Sequence, residues 1–183
     1  MMLEQLPPEP VDLVGYSLGG RIALALAHQH PERVARLGLI SAHIGLIEPS
    51  SRQARLERDR ERAEQVRRDP EGFFAQWDAM ELFRTHRPTP PPRARTHLEP
   101  DAVAEVLVNL SPGSTPRLQA VIERTDLPIL CVLGELDIRY RSHYASLTRL
   151  RPGLPIHVIP GAGHRVIIDA PSDLAVVLDG WLG

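Results

Sequence analysis

The sequence feature that most constrains the fold is the pentapeptide Gly-Tyr-Ser-Leu-Gly at positions 15–19. An apolar run at 11–14 precedes it, and a helix-forming run at 21–27 follows it. In this strand–turn–helix context, G-x-S-x-G forms a nucleophile elbow, a sharp turn that strains the serine and exposes its Oγ beyond the strand end. We therefore expect Ser17 to act as a nucleophile or base, and Gly19 to let the helix pack closely behind the turn.

Composition excludes several classes of protein. The chain has 183 residues, the size of one domain, and its net charge of −2 attracts neither nucleic acid nor acidic membranes. The apolar runs are shorter than the ~18 residues of a membrane span, and residues 1–8 lack the pattern of a signal peptide. The single cysteine, Cys131, cannot form an intramolecular disulfide. We expect a cytoplasmic protein that binds neither nucleic acid nor membranes.

The basic and metal-binding residue types narrow the chemistry. All 21 basic residues are arginine, which excludes a lysine Schiff base. The histidines show no metal-binding spacing, and there is no glycine-rich phosphate loop. We therefore expect no metal and no cofactor.

Apolar strands alternate with helices, which indicates an α/β fold with a parallel sheet. Strands are predicted at 11–14, 34–40, 128–134 and 156–159, and helices at 17–29, 142–150 and 171–182. Residues 49–125 are charged, helical and punctuated by prolines, without a clear strand. The prediction is a four-stranded core at 1–48 and 126–183 with a helical lid insertion at 49–125.

A serine hydroxyl needs a base, usually a histidine that a carboxylate holds in one tautomer. In α/β folds where such an elbow carries the serine, the chain order is Ser, then Asp or Glu, then His, and each residue follows a strand. Asp137 follows the third strand, and His164 follows the fourth within a glycine-rich loop. We predict Ser17, Asp137 and His164 as the catalytic residues, with Glu135 as a second-ranked alternative acid.

Six other histidines are weaker candidates for the base, because they lie within helices, within a strand or in the proline-rich insertion. They are His28, His30, His86, His97, His143 and His157.

Three segments together resemble the α/β-hydrolase superfamily: Gly-Tyr-Ser-Leu-Gly-Gly-Arg at 15–21, Gly-Glu-Leu-Asp at 134–137 and Gly-Ala-Gly-His at 161–164. Further stretches resemble the 2-succinyl-6-hydroxy-2,4-cyclohexadiene-1-carboxylate synthases, which eliminate pyruvate in menaquinone biosynthesis. These stretches are Ala-His-Ile-Gly-Leu at 42–46, Phe-Phe-Ala-Gln-Trp at 73–77 with Phe83, and Arg95 with Ser111 and Thr-Pro-Arg-Leu at 115–118.

The resemblance implies a small-molecule substrate with several carboxylates, because arginine forks bind carboxylates bidentately. It assigns substrate binding to Tyr16, Arg21, Arg55, Trp77, Phe83, Arg95 and Arg139. Ser17, activated by His164, would remove a proton from the substrate, and pyruvate would leave without an acyl-enzyme. Asp78 stands where the family tends to have an aromatic residue, and a carboxylate there repels an anionic substrate unless it is turned away.

The resemblance also implies that this chain is the C-terminal portion of an α/β-hydrolase fold. One oxyanion donor is the backbone N–H of Leu18, and the second comes from a loop after an earlier strand. Only sixteen residues precede Ser17, too few for that loop. We expect a fragment, a misassigned start, or a chain that associates with a partner or with itself through an open edge at the first strand.

Three hypotheses follow: the pyruvate-eliminating synthase, a generic serine esterase or thioesterase, and a truncated, inactive remnant.

Overall fold

A single parallel sheet of four strands forms the centre of the molecule. The computed structural model describes residues 6–83, 98–115, 120–121 and 126–183. The strands lie in the order β1 (Val11–Tyr16), β2 (Val34–Ile40), β3 (Ile129–Gly134) and β4 (Ile156–Ile159). All three pairings are parallel, so the carboxyl ends of the strands share one edge of the sheet. The predicted fold class, four parallel strands flanked by helices, is confirmed.

Helices occupy most of the remaining described chain. They are α1 (Leu18–Gln29), α2 (Pro49–Arg68), α3 (Pro70–Asp78), α4 (Pro100–Asn109), α5 (Ile138–Ala145), α6 (Leu147–Leu150), α7 (Val166–Asp169) and α8 (Pro171–Leu182). Short 3-10 turns occur at Pro31–Arg33 and Glu81–Phe83. Within the described ranges, none of these helices combines the length and apolar character needed to span a bilayer.

The predicted helix at 142–150 is wrong at its start and in its continuity. The helix α5 begins at Ile138, because the Asp137 carboxylate caps it by accepting a hydrogen bond from the Tyr140 N–H at 3.4 Å. The helix α5 ends at Ala145, and after Ser146 the short helix α6 begins. Asp137 therefore lies at the end of the loop after β3 and also caps the N-terminus of α5.

Two apolar layers cover the two faces of the sheet. Leu37, Leu39 and Cys131 face the layer that contains α1 and α5, while Leu130 and Val132 face the layer that contains α8. This alternation is the period of two residues along a strand. Every residue of β3 is buried, as expected for an inner strand of a parallel sheet with both faces covered.

A second, smaller cluster holds together the helices between β2 and β3, which we call the helical segment (α2–α4). Its buried members are Ala63, Val66, Phe73 and Ala104. The helical segment is tied to the sheet layer by the Arg21 guanidinium, which donates to the carbonyl of Leu110. The described residues of this segment contain no strand, and residues 84–97, 116–119 and 122–125 lie outside the description.

Close packing behind the elbow depends on Gly15 and Gly20, and the expectation for Gly19 is wrong. A Cβ added to Gly15 would lie 2.5 Å from the carbonyl oxygen of Gly19, and one added to Gly20 would lie 2.9 Å from that of Gly15. Around a Cβ on Gly19 there is nothing within 4 Å. The strand end and the start of α1 therefore meet across positions 15 and 20.

The strand β1 lies at one border of the described sheet, with Val14 37% exposed. Near this border Asp12 pairs with Arg36 at 2.6 Å. Self-association through β1 stays a prediction.

Candidate functional site

Three loops at the carboxyl edge of the sheet bring the predicted catalytic side chains together. Ser17 follows β1 directly, Asp137 comes three residues after β3, and His164 comes five residues after β4. Because these strands are parallel, residues 147 apart in the sequence meet in space.

The three side chains form a chain of hydrogen bonds. Ser17 Oγ lies 3.2 Å from His164 Nε2, and His164 Nδ1 lies 2.7 Å from Asp137 Oδ2. Asp137 and His164 are 4% and 2% exposed. A carboxylate only accepts hydrogen bonds, so it favours the tautomer with a proton on Nδ1 and leaves Nε2 free to accept the serine proton.

The serine has the strained backbone expected of an elbow. Its φ is 48° and its ψ is −107°, in a region that non-glycine residues rarely adopt. A hydrogen bond of 2.8 Å from the Ser17 N–H to the carbonyl of Ile40 helps to hold the turn. Leu18 is the first residue of α1, so its N–H has no acceptor within the helix. Its role as an oxyanion donor stays a prediction.

Glu135, the alternative acid, serves a different contact. Its Oε2 accepts a hydrogen bond of 2.9 Å from the N–H of Gly161, in the loop that carries His164. On the other side of the same loop, the buried Asp169 accepts one of 2.8 Å from the N–H of Gly163. Two carboxylates therefore fix the loop backbone, and Asp137 alone of the two candidate acids contacts the imidazole.

A cavity of about 330 Å³ opens beside Ser17, and most of the predicted substrate-binding residues line it. Those that line it are Arg21, Arg55, Trp77, Phe83 and Arg139. Tyr16 is not among the lining residues; its ring packs against His164 with centroids 5.8 Å apart, and burial raises the pKa of Tyr16 to about 12. Arg95 lies outside the described residues.

Aromatic rings pack around His164 and form part of the cavity wall. Trp77 stacks on Phe83 with centroids 5.5 Å apart, and Phe83 in turn lies 5.9 Å from the His164 ring. Tyr140, which the sequence analysis missed, is closer still at 4.7 Å. Its position in the first turn after Asp137 was the signal that could have identified it.

Two arginines in the cavity wall were also missed. Arg58 and Arg62 line the cavity three and seven positions after Arg55 in α2. This spacing places all three on one helix face, so helical periodicity could have identified them. Arg62 also lies over the Trp77 ring, 5.5 Å from its centroid.

His43 forms a neutral part of the cavity wall. Burial, followed by nearby arginines such as Arg55, lowers the pKa of His43 to about 3. Its Nδ1 accepts a hydrogen bond of 3.0 Å from the Gly45 N–H, which requires an unprotonated Nδ1 and leaves the ring proton on Nε2. In the sequence, His43 stands out only as part of the stretch at 42–46 that resembles the synthases.

The carboxylate of Asp78 pairs with an arginine that does not line the cavity. Its Oδ1 lies 3.7 Å from the Arg165 guanidinium, and Asp78 does not line the cavity. Asp78 is therefore paired with a cation and is not part of the arginine-lined surface. Across the described part of the chain, no three His, Cys, Asp or Glu side chains are grouped to hold a metal ion.

Comparison with protein-family models matches residues 1–171 to the alpha/beta hydrolase fold. A putative 2-succinyl-6-hydroxy-2,4-cyclohexadiene-1-carboxylate synthase of Bacillus subtilis is 32% identical over 188 residues, covering 99% of this chain and 69% of the relative. A 2-succinyl-6-hydroxy-2,4-cyclohexadiene-1-carboxylate synthase of Enterobacter sp. (strain 638) is 35% identical over 170 residues, covering 91% of this chain and 64% of the relative. The chain thus spans about two thirds of these relatives.

Solved structures show the same fold. MenH from S. aureus superposes with a TM-score of 0.85 at 24% identity, covering 94% of this chain and 68% of that one. A malate-bound thermophilic esterase from Thermogutta terrifontis superposes with a TM-score of 0.73, also at 24% identity, covering 95% of this chain and 65% of that one.

Proposed function

Because this chain belongs to the alpha/beta hydrolase fold family, and because it resembles the 2-succinyl-6-hydroxy-2,4-cyclohexadiene-1-carboxylate synthases, we propose that it eliminates pyruvate from a polycarboxylate substrate in menaquinone biosynthesis. The observation that carries this proposal is the position of the Ser17–His164–Asp137 chain of hydrogen bonds at a cavity lined by five arginines. These are Arg21, Arg55, Arg58, Arg62 and Arg139.

In the proposed reaction, Ser17 Oγ is the base. His164 Nε2, at 3.2 Å, takes the hydroxyl proton, and Asp137 stabilises the resulting imidazolium. The serine oxygen then removes a proton from a substrate carbon. The electron pair of that C–H bond forms the new double bond, and the bond to the departing group breaks with its electron pair, so that the enolate of pyruvate leaves. The imidazolium of His164 supplies the proton that converts this enolate to pyruvate, which restores the neutral histidine and the Ser17 hydroxyl. No acyl-enzyme forms.

The cavity wall supplies recognition and electrostatic stabilisation. Guanidinium groups bind carboxylates and remain charged, and a partly dry cavity strengthens these interactions. Burial, and next the neighbouring Arg55, lower the pKa of Arg21. An anion bound between these two groups relieves their mutual repulsion. Trp77 and Phe83 provide the apolar surface for the ring of the substrate.

A second candidate function is hydrolysis of carboxylic esters. The same hydrogen-bond chain suits a nucleophilic serine, and the likeness to the Thermogutta esterase supports this alternative at the level of the fold. The arginine-lined wall favours the elimination, because a simple ester carries no group that needs several cations.

The deciding experiment compares pyruvate release from the synthase substrate with turnover of p-nitrophenyl acetate. Ser17→Ala is the control in both assays, and fluorophosphonate labelling of Ser17 reports whether the serine is reactive. We expect pyruvate release from the parent chain and a loss of ~10³-fold or more in Ser17→Ala.

Ester turnover without pyruvate release would select the hydrolase. A chain that neither labels with fluorophosphonate nor unfolds cooperatively would select the inactive remnant.

A further inference from the structure

The most deeply buried charge of the helical segment belongs to a residue that the proposed mechanism does not use. Asp59 lies in the middle of α2 and is 1% exposed. A buried carboxylate costs free energy unless charges and hydrogen bonds compensate it. Its partners therefore show why this position is charged.

Three donors surround the Asp59 carboxylate. Oδ2 accepts from Arg55 Nε at 2.7 Å and from the Ser111 hydroxyl at 2.8 Å, and Oδ1 accepts from Arg62 Nη1 at 3.0 Å. The two arginines are on the same helix, whereas Ser111 comes from the loop after α4. The carboxylate thus joins α2 to that loop.

The loop is itself held in one geometry. The Ser111 Oγ accepts a hydrogen bond of 3.0 Å from the Gly113 N–H, so the hydroxyl proton is directed to Asp59. A Cβ on Gly113 would overlap the backbone of α2 at Arg52, which shows how closely loop and helix approach. One residue before Ser111, the carbonyl of Leu110 binds the Arg21 guanidinium.

These bonds leave much of each cavity guanidinium available. Arg55 uses Nε toward Asp59, and among the described residues its two terminal nitrogens have no hydrogen-bond acceptor. The Arg55 and Arg62 side chains are 20% and 25% exposed, and both line the cavity beside Ser17. The Asp59 carboxylate fixes the other side of both groups.

We propose that Asp59 is a positioning residue, which orients Arg55 and Arg62 to bind the carboxylates of an anionic substrate. The inference deepens the proposed function and rests on it. The positioning role and simple electrostatics predict opposite effects on anion binding when the Asp59 charge is removed. Removal of a negative charge beside the cavity raises the positive potential there, so charge alone predicts tighter binding of an anion. Loss of orientation predicts weaker binding.

The test measures binding of succinate, a dicarboxylate probe, to the full chain and to Asp59→Asn by calorimetry. The matched control is Asp69→Asn, which removes the same charge from the exposed N-cap of α3, a carboxylate that contacts no cavity arginine. We expect Asp59→Asn to weaken succinate binding by about tenfold or more. Asp69→Asn should change it by less than about twofold. Fluorophosphonate labelling of Ser17 should proceed at the parent rate in both variants.

Binding of succinate by Asp59→Asn as tightly as by the parent, or more tightly, overturns the inference. If Asp59→Asn does not fold, Ser111→Ala replaces it. That variant removes one of the three donors, and we expect it to weaken binding about threefold. Unchanged binding in Ser111→Ala then overturns the inference.

A spectroscopic measurement separates this inference from the proposed function. In ¹H–¹⁵N spectra the Arg55 Nε–H should exchange slowly in the parent chain and rapidly in Asp59→Asn. A rapidly exchanging Arg55 Nε–H in the parent overturns the positioning role, whatever the chain binds. A protected Arg55 in a chain that binds no succinate supports the positioning geometry and counts against the carboxylate substrate.

Discussion

The two halves of the site are built in different ways. Ser17, Asp137 and His164 are placed by backbone, because each follows a strand of one parallel sheet. The cavity arginines Arg55 and Arg62 are placed by side-chain contacts to one buried carboxylate. The first half depends on strand order and tight turns, while the second depends on a few polar bonds in the helical segment.

The two halves are therefore sensitive to different substitutions. Backbone placement tolerates changes in surrounding side chains but not in the glycines that allow close approach. Placement by a carboxylate tolerates neither the loss of its charge nor the loss of its donors. Reaction and recognition should therefore fail separately, and the following changes test that separation.

The largest expected effect is on the reaction half. Asp137→Asn should lower the rate of pyruvate release by ~10³–10⁴-fold, because an amide does not hold the productive histidine tautomer. Succinate binding should stay near the parent value. The control is Glu135→Gln, which changes the other candidate acid and should cost less than about tenfold. A Glu135→Gln variant as impaired as Asp137→Asn would contradict the assignment of the acid.

A smaller effect is expected at the backbone of the same half. Gly20→Ala should lower the free energy of unfolding by about 1–3 kcal/mol, because the added Cβ overlaps Ala42 and the Gly15 carbonyl. Gly19→Ala has open space and replaces glycine in a helix, so it should be neutral or stabilising by up to about 1 kcal/mol. Urea unfolding of both variants measures the difference. Equal losses would show that the elbow does not depend on the 15–20 contact.

A third and smaller effect is expected at His43, which lines the cavity together with the arginines. Its pKa of about 3 in the folded chain lies below the usual value of 6.5. The unfolded chain therefore binds a proton more readily between these values, and stability falls as the pH decreases through this range. His43→Gln should remove this contribution.

Urea unfolding at about pH 7.5 and about pH 5.5 should show a loss in the parent that exceeds the loss in His43→Gln by about 1 kcal/mol. Identical losses would mean that His43 is protonated as easily in the folded chain as in the unfolded one.

Strand periodicity predicts the sheet, and the positions of Ser17, Asp137 and His164 after three parallel strands predict that their side chains meet at one edge of it. The sequence does not reveal the close contact between Gly15 and Gly20, since a glycine pattern does not tell which glycine faces another backbone. The start of α5 was missed for a related reason. Asp137 was interpreted only as an acid, and its second role as a helix cap was overlooked.

The recognition half was less predictable. Arg55 was assigned by resemblance, but Asp59 looked like one charge among many in a helix of alternating sign. Its burial depends on Ser111, 52 positions away, and no local pattern encodes that contact. A periodicity of three and four residues does predict Arg58 and Arg62 on the face of Arg55. What the sequence lacks is the direction in which that face points.

The bond from Arg21 to the Leu110 carbonyl has a consequence for protein engineering. A helical segment transplanted from another member of the fold would bring its own arginines, but its connecting loop would have to present a carbonyl at the same place. Arg21 belongs to the elbow helix and would remain behind. Exchange of substrate preference between such proteins therefore requires the first turn of α1 and the loop at 110–113 to be moved as one unit.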